Sequence, residues 1–271
     1  MLSLYLVCFC FYIYSGNPSL FFSEIKVHGI VWCSSFSVAG GSIINQFYDQ
    51  EKDQIARPIL VQIRSFIKLK YKLYLYILLI IFSLLVACLL SLQIFIFFLV
   101  YHFYIWFYSH KMSKILIINN LSLVFLLLYP FAGLLFYFKT YSPMALYLLV
   151  FIFIYLLIID LAKDVLSHKA DKIMGYQSIA TEYSVPTSIY TQAVLLMILA
   201  VFCPYLWAHL PKFICSYYYI QCCMVFFIIL AMRLLYRPKL HTWLFPSLKI
   251  TLLLGILLVY LDLILTQFLS L

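Results

Sequence analysis

The stretch 71-YKLYLYILLIIFSLLVACLL-90 decides the fold class, because it is apolar along its whole length apart from one charged side chain, Lys72. A helix needs about 20 such residues to cross the hydrocarbon core of a bilayer. Similar runs recur through the chain, which is 66% hydrophobic and only 10% charged, whereas soluble domains have about 25% charged residues. The runs are continuous and do not alternate, so we predict helical spans that satisfy their own backbone hydrogen bonds. The predicted fold class is an all-α, polytopic membrane helix bundle.

We mark nine candidate spans and, since no linker or soluble appendage separates them, a single domain over residues 1–271. The spans cover residues 1–15, 28–48, 71–90, 92–109, 115–138, 143–162, 188–210, 214–235 and 248–269. The first is short, and it could be an uncleaved signal-like segment or a span that starts upstream of Met1. We favour a span, because no small-residue cleavage site follows it cleanly.

The basic residues indicate the orientation of these spans. If the N-terminus is cytoplasmic, 15 of the 18 Lys and Arg residues fall in inside segments, and the outside segments hold only Lys26, Lys139 and Lys212. Such asymmetry is the positive-inside pattern of membrane proteins. The net charge of +9 is therefore mostly topological, and we expect no nucleic-acid partner.

Seven of the nine acidic residues also lie on this inside face, within segments 49–53 and 160–182. Asn45, Asp49 and Asp53 are four residues apart, a spacing that stacks side chains on one face of a helix. We call these three residues the first acidic motif. The second acidic motif is Asp160, Asp164 and Asp171. Its first two members repeat the four-residue spacing. Asp171 falls about 20° from Asp160 around the helix axis, at 100° per residue, if the helix continues that far.

Two ladders of carboxylates on one membrane face would repel each other unless a cation lay between them. Hard oxygen ligands suit Mg²⁺, which commonly bridges to phosphate oxygens. Basic side chains nearby could bind the rest of an anionic group; they are Arg57, Lys114, Lys163, Lys169 and Lys172. Carboxylates in membranes also serve proton relays and transporter ion sites, and a cluster at a helix end can be merely solvated.

Three segments together resemble the UbiA-type membrane prenyltransferases. The pattern N-x-x-x-D-x-x-x-D followed by Arg57 and Pro58 resembles the first motif of that family. The stretch 160-DLAKDVLSHKADKIMGYQSIATEYS-184 resembles the second motif, and 108-YSHKMSK-114 resembles the Tyr…Lys segment after the fourth span. The resemblance covers nearly the whole chain and implies a helical bundle around a central cavity.

The resemblance also implies an activity, a cofactor and roles for individual residues. Members of the family use Mg²⁺ to hold an isoprenyl diphosphate and transfer the isoprenyl group to a small acceptor at the membrane, such as a quinone-ring precursor or a glycerol-phosphate lipid. Asn45, Asp49 and Asp53 would then hold one Mg²⁺, and Asp160, Asp164 and Asp171 would hold or orient a second. Lys114 and Lys163, with Arg57, would contact the diphosphate. We therefore expect an enzyme of a bacterial inner membrane with its active-site loops in the cytoplasm.

Two alternatives to this hypothesis stay open, and the first arises from departures from the family pattern. Gln46 and Ser167 stand where the family often has an acid, and Ala170 replaces a usual Gly. A catalytically degenerate relative that only binds isoprenoid is thus one alternative. An ion-coupled transporter is another, although it would predict Gly/Pro-broken helices in two matching halves, and the chain has seven glycines.

Overall fold

A computed structural model describes residues 24–56, 58–139, 143–209 and 214–269. Throughout these residues the regular secondary structure is helical, and no strand occurs among them. The α-helices are α1 Ile25–Tyr48, α2 Gln50–Ala56, α3 Pro58–Arg64, α4 Leu69–Leu90, α5 Leu92–His110, α6 Ile118–Phe138, α7 Pro143–Ile173, α8 Ile179–Glu182, α9 Val185–His209, α10 Ile214–Tyr236 and α11 His241–Leu269. Two short 3₁₀ helices are Met112–Lys114 and Pro238–Leu240.

Eight helical segments of this described part are long and apolar enough to cross a membrane. They correspond to the second to ninth predicted spans, so the predicted all-α, polytopic class is confirmed. The first predicted span, residues 1–15, lies outside the described residues.

The largest difference from the predicted boundaries is at α7, which continues to Ile173 although its apolar run ends near residue 162. The polar residues after Asp160 include no Gly or Pro before Gly175, so nothing in this segment breaks the helical hydrogen bonding. The helix therefore carries the second acidic motif beyond the apolar span.

The helices form two compact units, and the first comprises Met1–Thr140 and Ser167–Thr181. In this unit α1 packs against α4, α5 and α6. A buried polar contact joins three of these helices, because the Ser37 hydroxyl lies 3.1 Å from the Ser83 hydroxyl and 3.2 Å from Nε2 of His102. Hydrogen bonds of this kind hold helices together where lipid supplies no hydrophobic driving force.

The second unit comprises Tyr141–Leu166 and Glu182–Leu271. Here α9 packs against α10, and α10 packs against α11. The buried Asp262 carboxylate of α11 accepts hydrogen bonds from the Ser216 N–H and hydroxyl, both at 2.6 Å, and from the Cys215 N–H at 2.9 Å. It thereby satisfies N–H groups in the first turn of α10, which have no partner within their own helix. The single domain expected from the sequence stays a prediction.

Candidate active site

The first acidic motif lies where α1 gives way to α2. Asp49 separates the two helices, yet helical hydrogen bonding continues through it: the Asp49 N–H donates to the Asn45 carbonyl at 2.9 Å and the Asp53 N–H to the Asp49 carbonyl at 2.8 Å. The four-residue spacing therefore keeps its helical geometry. The side-chain amide of Asn45 donates to Oδ2 of Asp49 at 2.8 Å, so the polar ladder begins with a direct contact.

The second acidic motif lies on α7, and Gly175 ends that helix. Because α7 is continuous through Ile173, Asp171 is on the same side of the helix as Asp160. Gly175 adopts a left-handed conformation with φ +71°, and the N–H of Tyr176 then bonds back to the Asp171 carbonyl at 2.8 Å. This is the helix ending that glycine allows most readily, and it directs the chain after α7 back toward Asp171.

The chain segments around Asp49 and around Asp171 meet within the first unit. The hydroxyl of Tyr176 donates to Oδ1 of Asp49 at 2.9 Å. Nζ of Lys52, from α2, lies 2.7 Å from Oδ1 of Asp171. Segments more than a hundred residues apart in the sequence are thus joined by two short, buried polar contacts.

Tyr176 lies at the centre of this arrangement. The ammonium groups of Lys52 and Lys114 lie 4.3 Å and 5.4 Å from the centroid of its ring, within the range of cation–π attraction. Burial raises the pKa of the Tyr176 hydroxyl, and the carboxylates of Asp49, Asp171 and Asp53 raise it further. The hydroxyl therefore stays protonated and acts as a hydrogen-bond donor.

The Tyr…Lys segment forms the third part of the site. The main-chain N–H of Gln177 donates to the carbonyl of Lys114 at 3.2 Å, which ties the chain after α7 to the 3₁₀ helix Met112–Lys114. The hydroxyl of Tyr108 donates to Oδ1 of Asn119 at 2.8 Å and so braces the two ends of this turn. Lys114 is thereby placed beside the ring of Tyr176.

The predicted residues of the second unit share one helix. Asp160 and Asp164 are both buried, and Nζ of Lys163 lies 3.3 Å from Oδ1 of Asp160, one turn away on α7. Arg57 lies outside the described residues. The metal and diphosphate roles of all these residues stay predictions.

The side chains of the first acidic motif are of the chemical type that magnesium binds. One amide and two carboxylates supply oxygen atoms on successive helical turns, and Mg²⁺ prefers such hard ligands with water completing its shell. Among the described residues, no group of three or more His, Cys, Asp and Glu side chains is arranged to hold a metal. The carboxylates of Asp49 and Asp171 instead make the hydrogen bonds and the ion pair described above.

Two residues of this site were not among the predicted site residues. In the predicted topology Lys52 is one of the basic residues on the inside face. Its position among three acids within five residues is a usable signal of a role in the site. Tyr176 directly follows Gly175, which ends α7, and this position is a weaker signal. Glu51, which lies between Asp49 and Asp53 in the sequence, is exposed.

The fold and these segments define a membrane-embedded, all-helical protein that carries two acidic motifs. Residues 3–262 match the model of the UbiA prenyltransferase family, and the chain belongs to that family. This confirms the resemblance noted in the sequence and, with the eight apolar helices, makes the chain an integral membrane protein. A comparison with curated proteins gave no match.

Solved structures share the fold at low sequence identity. One, of digeranylgeranylglyceryl phosphate synthase in membranes, is 20% identical with a TM-score of 0.67, covering 96% of this chain and 93% of that chain. A UbiA homolog from Archaeoglobus fulgidus bound to GPP and Mg²⁺ is 14% identical with a TM-score of 0.62, covering 96% of both chains. The same kind of homolog bound to DMAPP and Mg²⁺ is 13% identical with a TM-score of 0.58, covering 95% of this chain and 96% of the other.

Proposed function

We propose that this protein is a Mg²⁺-dependent prenyltransferase that transfers an isoprenyl group from an isoprenyl diphosphate to a small acceptor at the membrane. The observation that carries the proposal is the meeting of Asp49 and Lys52 with Asp171 and Tyr176, which brings two carboxylates and an ammonium group together in the first unit. The Archaeoglobus homologs, described as bound to an isoprenyl diphosphate and Mg²⁺, support the same class of substrate.

In this proposal each group of residues has a distinct task. Asn45, Asp49 and Asp53 hold the ion, and the carboxylates of the second acidic motif hold or orient its diphosphate complex. Bound Mg²⁺ neutralises the charge that develops on the leaving diphosphate. Lys114, Lys163 and Arg57 bind the remaining phosphate oxygens, since ammonium and guanidinium groups form strong hydrogen bonds to them.

The direct test is transfer of radiolabelled isoprenyl from its diphosphate by the purified protein, with and without EDTA. We expect product that is abolished by EDTA and restored by excess Mg²⁺. Asp49→Asn should lower the rate by at least about a hundredfold, because an amide replaces a charged ligand. Equal product in the presence and absence of EDTA would remove the metal-dependent mechanism.

The acceptor is proposed as one of two classes, a quinone-ring precursor or a glycerol-phosphate lipid. A panel with one member of each class, offered with the same labelled diphosphate, distinguishes them. Product from only one class assigns the acceptor, and the membrane orientation proposed from the basic residues places it at the cytoplasmic surface.

A second candidate function is isoprenoid binding without transfer. It is favoured by the engagement of Asp171 with Lys52 at 2.7 Å and with the Ser167 hydroxyl at 2.6 Å. Binding of labelled isoprenyl diphosphate without product from any acceptor would support this function, and turnover with any acceptor would exclude it.

A further inference from the structure

Both carboxylate oxygens of Asp171 already have partners within the protein. Oδ1 lies 2.7 Å from Nζ of Lys52, and Oδ2 accepts a hydrogen bond from the Ser167 hydroxyl at 2.6 Å. The Asp171 side chain is 2% exposed and that of Lys52 is 11% exposed. A buried ion pair of this kind is costly to break, because removing one partner leaves the other charge uncompensated.

Asp49 differs from Asp171 in the charge of its partners. Its two oxygens accept hydrogen bonds from the amide of Asn45 and the hydroxyl of Tyr176, and both donors are neutral. A divalent ion can replace neutral donors without creating a new repulsion. At Asp171 the same replacement would leave the ammonium of Lys52 buried beside the ion, where like charges repel strongly.

Contacts other than the ion pair with Asp171 also hold Lys52 in place. Its ammonium lies 4.3 Å from the centroid of the Tyr176 ring, and burial of the side chain leaves it few alternative positions. On the second acidic motif, Asp160 likewise has an ammonium partner in Lys163. Asp160 and Asp171 of that motif thus each have a lysine partner.

We propose that Lys52 is a permanent cation that takes the place of a second metal ion at Asp171, so that the site binds one divalent ion, not two, together with a diphosphate. The proposal rests on the proposed function, since it concerns the same site. In the first unit, the carboxylate of Asp171 is paired with the ammonium of Lys52, whereas Asp49 is contacted by the neutral donors Asn45 and Tyr176.

The test counts metal ions on the full-length protein in detergent, with Mn²⁺ as the probe and inorganic pyrophosphate as the anion. Free Mn²⁺ is measured by electron paramagnetic resonance during a titration. We expect one ion per chain for the wild type and two for Lys52→Gln, because loss of the ammonium frees Asp171 for a metal. The matched control is Lys70→Gln, which removes the same charge from an exposed side chain and should leave the count at one.

Asp171→Asn keeps the test decisive if Lys52→Gln does not fold. The proposal predicts one ion for this variant, as for the wild type, since Asp171 is not a metal ligand. Two ions on the wild type, falling to one in Asp171→Asn, would overturn the proposal and leave the prenyltransferase function standing. An unchanged single ion in a folded Lys52→Gln variant would also overturn it. No ion on any variant would overturn both the proposal and the metal-dependent mechanism.

Discussion

At the scale of single residues, Tyr176 connects the two acidic motifs. Its hydroxyl donates to Asp49, and its ring lies beside two lysines. Its pKa is raised by burial and by the neighbouring carboxylates, so the hydroxyl keeps its proton and does not act as a base. It donates that proton in a hydrogen bond to Asp49 and so orients the carboxylate. We infer that it positions the carboxylate that is proposed to bind the metal.

Replacing Tyr176 with Phe removes this hydrogen bond and keeps the ring. A hydrogen bond to a charged group contributes about 1.5–3 kcal/mol, so we expect kcat/KM for the isoprenyl diphosphate to fall about tenfold or more. Tyr183→Phe is the control, since Tyr183 is exposed. Equal kinetics for the two variants would show that the Tyr176 hydroxyl has no positioning role.

At the scale of helices, the ends decide where functional side chains lie. Gly175 ends α7 in a left-handed conformation, and an ideal Cβ at this position would have no atom within 4 Å. The requirement for glycine here is thus a matter of backbone conformation and not of space. Asp262 plays the corresponding part at the start of α10, where a carboxylate from a neighbouring helix caps N–H groups that have no partner within their own helix.

Substitutions at Gly175 separate backbone strain from packing. Gly175→Ala should destabilise the protein by about 1 kcal/mol and lower transfer activity, because alanine is disfavoured at positive φ. Gly175→Asn should lose less stability and less transfer activity than Gly175→Ala, since asparagine tolerates this conformation. Thermal unfolding and initial rates measure the two effects, and equal losses in both variants would contradict the explanation.

Removal of the Asp262 carboxylate should weaken the contact between α10 and α11. We expect Asp262→Ala to lower the free energy of unfolding by about 1–3 kcal/mol, because buried donors lose their acceptor. Activity per folded molecule should be unchanged. Ser247→Ala, whose hydroxyl bonds only to the Leu244 carbonyl of its own helix, is a control that should change stability much less.

At the scale of the whole molecule, the placement of charge relative to the apolar helices gives the protein its proposed orientation. In the predicted topology, the loops on one side carry most of the Lys and Arg residues. The same topology puts the acidic motifs on that side, so we expect the proposed diphosphate site to open to the cytoplasm.

Labelling of single cysteines tests this orientation. In a variant without other reactive cysteines, Lys139→Cys should react with a membrane-impermeant maleimide on intact cells, and Lys169→Cys should react only after permeabilisation. Both lysines are exposed in the structure, so accessibility of the side chain does not bias the comparison. Labelling of Lys169→Cys in intact cells would reverse the proposed topology.

The sequence by itself determined the fold class, because the length and apolarity of a span are local properties and a bilayer tolerates few alternatives to a helix. It also predicted which residues would carry the proposed chemistry, since the four-residue spacing of Asn45, Asp49 and Asp53 needs only a helix to align them. The family resemblance followed from the same local motifs.

Only the tertiary structure decided which charges are paired. Lys52 and Asp171 are more than a hundred residues apart, and no local pattern specifies that the ammonium of one reaches the carboxylate of the other. The same holds for Tyr176 and Asp49, which meet because Gly175 turns the chain at the end of α7. Pairing of buried charges depends on distance in space, whereas the sequence records only distance along the chain.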